Sequence, residues 1–236
     1  MSDPKTFFAD LDPLYFKDRD VPVEEILHWF KLCGAAWMHS GDSKDPHAEL
    51  TSGKCSNGFF NCLGLLKYVT VSEILANQLA RKIRNTIGDQ KIDWVVASPM
   101  AGITFGHDVA RALDADIFMF TEKDPHNKGV MLWNRVVIPE GATVFQVEEL
   151  ITTSKTLNAV QKAVDKGNPT PVKWLPYIGS FVHRPPQLPI KWYGNRQLIT
   201  LVEQEVWAVD PADCPLCQRG SPRYKPKTHW EELTKV

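Results

Sequence analysis

Three short apolar runs, Trp94–Ala97, Ile117–Phe120 and Val144–Val147, constrain this chain more than any other feature. Segments with helical patterning follow the first, at about 102–113, and the third, at about 156–165. A short run without polar alternation reads as a strand covered on both faces, and such strands belong to parallel sheets sandwiched by helices. The pattern predicts an α/β fold with a central, mostly parallel sheet flanked by helices. Upstream, Val71, Ile74, Leu75, Leu79, Ile83 and Ile87 form a helical stripe, with Thr70 as a cap candidate and Gly88 as the stop. Asp20-Val21-Pro22 with Glu24 and Glu25 opens a rougher stripe through Ile26, Leu27, Phe30 and Ala35 that is predicted to end before Ser40. After Gly167 the chain turns proline-rich, with 172–182 and 197–206 as further strand candidates.

The chain has 236 residues, 43% of them apolar, and a formal net charge of -1. That size supports a large core without staples. A nearly neutral chain argues against a dedicated nucleic-acid binder. No run of apolar residues is long enough to cross a membrane, and the polar start from Met1 to Asp12 has no secretory h-region. Five cysteines at irregular spacing then predict reduced thiols and a cytoplasmic protein. Charge is uneven: residues 171–236 hold 9 Lys and Arg against 6 Asp and Glu. Arg219, Arg223, Lys225 and Lys227 lie close together among glycine and prolines, so 208–236 reads as an irregular basic tail behind a main domain spanning 1–207.

The richest segment is Val144-Phe145-Gln146-Val147-Glu148-Glu149-Leu150-Ile151-Thr152-Thr153-Ser154-Lys155-Thr156. An apolar strand ends in two carboxylates, then hydroxyls and a lysine lead into a helix. Unpaired N–H groups and the dipole at a helix start favour an anion. Thr152, Thr153, Ser154 and Thr156 add donors there, and Lys155 adds charge. Two carboxylates beside an anion site need something hydroxylated or positive between them, such as a sugar diol or Mg²⁺ with its waters. The plainer alternative is a solvated strand end followed by a threonine cap.

This segment resembles the phosphoribosyl-pyrophosphate (PRPP) signature of the type I phosphoribosyltransferases. Three further stretches match in order. Leu50-Thr51-Ser52-Gly53-Lys54-Cys55-Ser56-Asn57-Gly58-Phe59-Phe60-Asn61 is similar to the K-S-G-x-x-S-x-x-F-F-N segment of orotate phosphoribosyltransferases. Ala97-Ser98-Pro99-Met100-Ala101-Gly102-Ile103 resembles their pyrophosphate turn, and 120–129 sits where their flexible catalytic loop begins. The resemblance covers roughly residues 20–205 and implies a type I phosphoribosyltransferase fold with a small hood. It also implies Mg²⁺-dependent transfer of phosphoribose from PRPP to a ring nitrogen of a nucleobase, an orotate-like pyrimidine, with release of pyrophosphate, in a homodimer. Carried over, Glu148 and Glu149 face the ribose hydroxyls and Thr152, Thr153, Ser154, Lys155 and Thr156 hold the 5′-phosphate. Ser98, Pro99, Met100, Ala101, Gly102 and Lys54 approach pyrophosphate. Lys123, with His126 and Lys128 beside it, closes over the leaving group. Phe59, Phe60 and Asn158 meet the base.

Several positions depart from the family pattern. Both acidic residues are Glu. Ser154 replaces a glycine, and serine would be strained there by about 1–2 kcal/mol if the backbone needed positive φ. Thr51 replaces a lysine that Lys54 would cover. Glu122 replaces a cation in the loop, where it would repel pyrophosphate. Asn158 stands where orotate enzymes carry the arginine that grips the base's carboxylate, and an amide suits a neutral base better. These departures motivate an alternative: a weak or inactive relative that binds PRPP or a nucleotide as a sensor or regulator. A third reading, a zinc-stapled nucleic-acid-associated protein, rests on Cys214-Pro215-Leu216-Cys217, half of a zinc knuckle that needs two more ligands; His229 is twelve residues on, and His183, Cys33, Cys55 and Cys62 are far in sequence. Two surface thiols on a loop is the alternative.

Overall fold

The apolar runs form the middle of a six-stranded sheet. The computed structural model describes residues 3–234. The chain opens with α1 (Pro4–Ala9), α2 (Val23–Leu32), β1 (Ala36–Met38), β2 (His47–Glu49), β3 (Cys55–Ser56), β4 (Gly58–Phe60) and α3 (Cys62–Leu66). The body follows as α4 (Val69–Ile87), β5 (Trp94–Ala97), α5 (Ala101–Ala112), β6 (Ile117–Phe120), β7 (Glu122–Lys123), β8 (Met131–Leu132), β9 (Thr143–Ile151), α6 (Lys155–Gly167), β10 (Lys173–His183), β11 (Trp192–Tyr193) and β12 (Arg196–Glu203). Then come β13 (Ala208–Val209), a 3-10 turn at Pro211–Asp213, α7 (Pro215–Gln218), β14 (Arg223–Tyr224) and α8 (Trp230–Thr234).

The sheet order is β11-β12-β10-β9-β5-β6, parallel except where β11 meets β12. Alternation along the strands splits the core in two. Val95, Phe145 and Val147 pack with the α4 and α5 face, through Ile74, Leu79, Phe105 and Val109. Trp94, Val96 and Val144 pack on the other face with Val160 and Val164 of α6 and with Trp133. Helices thus cover both faces, as the apolar strands require. The chain adds β6 on one side of β5 and β9 on the other, so the strand order reverses between β5 and β9. In open α/β sheets the crevice at the carboxyl ends of such strands is where ligands sit. Ala97-Ser98 and Glu148-Glu149 both end there.

Some expectations need correction. The first long helix stops at Leu32 instead of near Ser40, because Gly34 turns the chain with φ 60 and residues 36–38 pair with β4. Thr70 lies inside α4, whose N-cap is Tyr68; Gly88 does end it, with φ 65. The tail is short-stranded but not loose. β13 pairs with β3 and β14 with β2, giving a four-stranded hood sheet β13-β3-β2-β14. The β2–β3 hairpin is too small to stand alone and gains an edge partner on each side. Among the described residues no helix is long and apolar enough to cross a membrane.

Candidate functional site

A cavity of roughly 400 Å³ opens at the strand-order reversal, and Ser98, Pro99, Lys123, Glu148, Glu149, Thr152, Thr153, Lys155 and Thr156 all line it. The local reason is simple. β5 and β9 are neighbours in register, Ala97 opposite Val147, so the turns that leave them face each other. The turn after β5 runs through a cis Pro99–Met100 bond into α5, and the loop after β9 runs into the 13-residue α6. Two helix N-termini with unpaired N–H groups therefore flank a pair of carboxylates.

The two carboxylates differ. Glu148 is 1% exposed and fully engaged. Ser98 Oγ donates to its Oε2, and Gln146 Nε2 donates to its Oε1 at 2.7 Å. Gln146 Oε1 in turn accepts from Arg196 Nη1 at 2.8 Å. Glu149 keeps its Oε2 buried without any partner. Gly102 makes room for it, since a Cβ there would lie 3.1 Å from Glu149 Oε2. Desolvation pushes the Glu148 carboxyl up to about 8, against hydrogen bonds from Ser98 and Gln146 that lower it. Burial pushes Glu149 up to about 7, with Lys123 pulling it down. The arrangement is a carboxylate held in place by its neighbours beside one left open for a ligand cation or hydroxyl.

This has a measurable consequence for the empty protein. Carboxyls whose folded pKa is raised bind more protons in the native state than in the unfolded one between roughly pH 4.5 and 8, so their contribution to stability is lost as pH rises through that window. His47 and His183, pushed down by burial, act in the opposite sense on the acid side. Comparison with the Glu148→Gln/Glu149→Gln variant isolates the glutamates. The variant is expected to melt at least about 5 °C above the wild type at pH 8 and to lose most of that margin at pH 5, by calorimetry without ligands.

The departures from the family pattern resolve structurally. Ser154 is the N-cap of α6 with φ -71, an ordinary serine conformation, so the anticipated strain is absent. Glu122 Oε1 accepts from Arg135 Nε across the β7–β8 hairpin, so its charge is paired, while Lys123 beside it faces the cavity. Several candidates fall elsewhere. Lys54 pairs with Asp210 at 3.4 Å on the surface and lines neither this cavity nor the one beside it. Phe60 is a core residue, edge-on to Phe30 at 5.3 Å. Asn158 is exposed on the outer face of α6, because Leu157 takes the inward position. Met100 is 71% exposed, although Ala101 and Gly102 are buried at the start of α5. His126 and Lys128 sit exposed near the hairpin tip.

A second cavity, roughly 820 Å³, lies under the hood and is lined by Phe59, Thr51, Arg184, Lys225 and Lys227 among others. It holds three cationic side chains and one carboxylate, Glu49, which pairs with Arg223 and Lys225. Arg184 follows β10, and its N–H donates to the carbonyl of Ile151, a residue lining the first cavity. Its Nε is buried with no partner, and burial pushes its pKa down from the usual guanidinium value. Sequence patterning missed Arg184, Gln146 and Arg196. Gln146 did carry a signal: it is the one polar residue in an otherwise apolar strand core. Arg184 carried none, lying in a proline-rich stretch. Separately, His47, Cys55, Cys214 and Cys217 place four possible ligand atoms within 4.8 Å of one another, a cluster able to hold a metal ion.

Residues 69–180 match the phosphoribosyl transferase domain model. The chain is 34% identical to the orotate phosphoribosyltransferase of Pelotomaculum thermopropionicum, across 86% of this chain and 96% of that protein. It is 32% identical to the protein of the same name from Desulforamulus reducens, across 86% and 95%. The crystal structure of orotate phosphoribosyltransferase from Aeropyrum pernix shares the fold, with a TM-score of 0.52 over 75% of this chain and 93% of that one at 12% identity.

Proposed function

This chain belongs to the type I phosphoribosyltransferase family, among relatives of the orotate enzymes, and from that premise we propose that it transfers phosphoribose from PRPP to orotate. A ring nitrogen of the base bonds to the anomeric carbon as the bond from that carbon to the pyrophosphate oxygen breaks, and the proton of the ring N–H passes to water. No covalent enzyme intermediate is involved. Thr152, Thr153, Ser154, Lys155 and Thr156 hold the 5′-phosphate at the start of α6. Glu149 meets the ribose hydroxyls and the positive charge that grows on the ring, and Glu148 fixes the position of its neighbour. Ser98 and the turn to Gly102 carry pyrophosphate, with Lys123 over it.

Mg²⁺ suits the unpartnered oxygen of Glu149, a hard donor beside a cavity that would hold phosphate oxygens. When bound, it supplies charge neutralisation of pyrophosphate. The proposal includes a homodimer and a cytoplasmic location, where the five thiols stay reduced.

Arg184 carries the choice of base. A half-buried arginine whose Nε is buried without a partner, lining the same cavity as Phe59 and bonded through its backbone to Ile151 at the end of Glu149's strand, is what a flat carboxylated ring requires. It supplies from β10 the cation that Asn158 does not supply from α6. The non-catalytic alternative loses support, because the Ser154, Glu122 and Asn158 departures that motivated it do not disable the site. The direct test is pyrophosphate release from PRPP and Mg²⁺ on addition of orotate. Release that depends on orotate is expected; none at millimolar orotate would overturn the assignment.

A further inference from the structure

We propose that His47, Cys55, Cys214 and Cys217 bind one structural zinc ion, which locks the C-terminal segment onto the hood. The four residues come from β2, β3 and the start of α7, far apart in sequence, and fold places them together. Cys55 Sγ lies 3.6 Å from Cys217 Sγ, and His47 Nε2 lies 3.7 Å from Cys214 Sγ and 3.3 Å from Cys217 Sγ. Zn–S bonds of about 2.3 Å and Zn–N bonds of about 2.0–2.1 Å put the edges of a tetrahedron at about 3.6–3.8 Å. Those three separations match such edges to within a few tenths of an ångström, and all four ligand atoms lie within 4.8 Å of one another.

The surroundings fit a thiolate–imidazole site. Ser221 Oγ donates to the carbonyl of Asp45 at 2.6 Å and lies 2.8 Å from His47 Nδ1. It therefore accepts a hydrogen bond from Nδ1–H, which leaves the Nε2 lone pair free beside the Cys214 and Cys217 sulfurs. The N–H of Cys217 donates to Cys214 Sγ at 3.4 Å, and Gly220 completes the turn with φ 79. Three thiolates and one dication leave a net negative charge, and Arg223 Nη1 stands 3.9 Å from Cys55 Sγ to offset it. His47, Cys55 and Cys214 have no exposure. Four protein ligands with no open position make a structural site, and soft sulfur donors select zinc over Mg²⁺. This site is independent of the phosphoribosyl assignment and shares no residue with the glutamate pair.

The test uses full-length protein purified without chelator. Elemental analysis is expected to give about one zinc per chain. Exchange with cobalt(II) is expected to give the intense visible bands of a tetrahedral thiolate site. Cys217→Ser should lower bound zinc at least tenfold, whereas Cys33→Ser should retain it. Should Cys217→Ser fail to fold, the cobalt spectrum of the wild type still decides. Wild-type protein with less than a tenth of a zinc per chain and no such spectrum would overturn the proposal. So would a Cys55–Cys217 or Cys55–Cys214 disulfide found by mass spectrometry in place of the metal.

Discussion

Glu148→Gln/Glu149→Gln is expected to lower kcat by at least about a thousandfold while the protein stays folded. Removing one preorganised electrostatic group from a transition state typically costs about a hundredfold to a thousandfold. The two positions should contribute unequally. Glu149 presents a buried oxygen with no protein partner, so on the proposed assignment Glu149→Gln removes the charge that faces the ribose. Glu148 accepts from Ser98 and Gln146, so Glu148→Gln can keep both partners, its oxygen accepting from Gln146 and its N–H donating to a turned Ser98 hydroxyl. Steady-state turnover beside a thermal melt checks both halves of the expectation. A folded double variant with wild-type turnover would mean that the strand-order reversal is not where the reaction occurs.

Arg184→Ala is expected to raise the KM for orotate by about thirtyfold to five-thousandfold and leave the KM for PRPP within a few-fold. Truncating one partner of a buried charged pair costs about 2–5 kcal/mol, which sets that range. Arg184→Lys should recover only part of the loss, because an ammonium cannot make the paired contacts of a guanidinium to a carboxylate. The decisive comparison is orotate against uracil, the same ring without the carboxylate. The wild type should prefer orotate strongly, and Arg184→Ala should collapse that preference. An unchanged ratio would remove Arg184 from base recognition and return attention to the other cations of that cavity, Lys225 and Lys227.

Much of this site was readable from sequence because its parts are local. A strand, two carboxylates and a hydroxyl loop are consecutive, so the segment from Val144 to Thr156 carries its own geometry. The turn from Ser98 to Gly102 is local too. What was not readable depends on which chain segment lies beside which. Asn158 was expected at the base on the resemblance alone, but the face of α6 it occupies is set by Leu157 entering the core. Arg184 reaches the hood cavity only because β10 pairs with β9. Glu122 looked repulsive until the β7–β8 hairpin brought Arg135 to it. The half-knuckle at Cys214 and Cys217 lacked its other half because those ligands lie on the hairpin near the other end of the chain.

The pairing of β14 with β2, His47 opposite Arg223, has a consequence for how the protein is made. Synthesis proceeds at about 5–20 residues per second, so the hairpin carrying His47 and Cys55 leaves the ribosome roughly 10–30 s before its partner exists. Throughout that interval its outer edges have no partner, and the central sheet itself is complete only once β12 ends at Glu203. The hood is the last part of the molecule to mature, and the cavity containing Arg184 receives Lys225 and Lys227 only at that moment. A newborn chain would pass through a state with the loop after β9 made and the hood cavity unwalled. Ribosome-stalled chains ending before Cys214 are where that state can be caught.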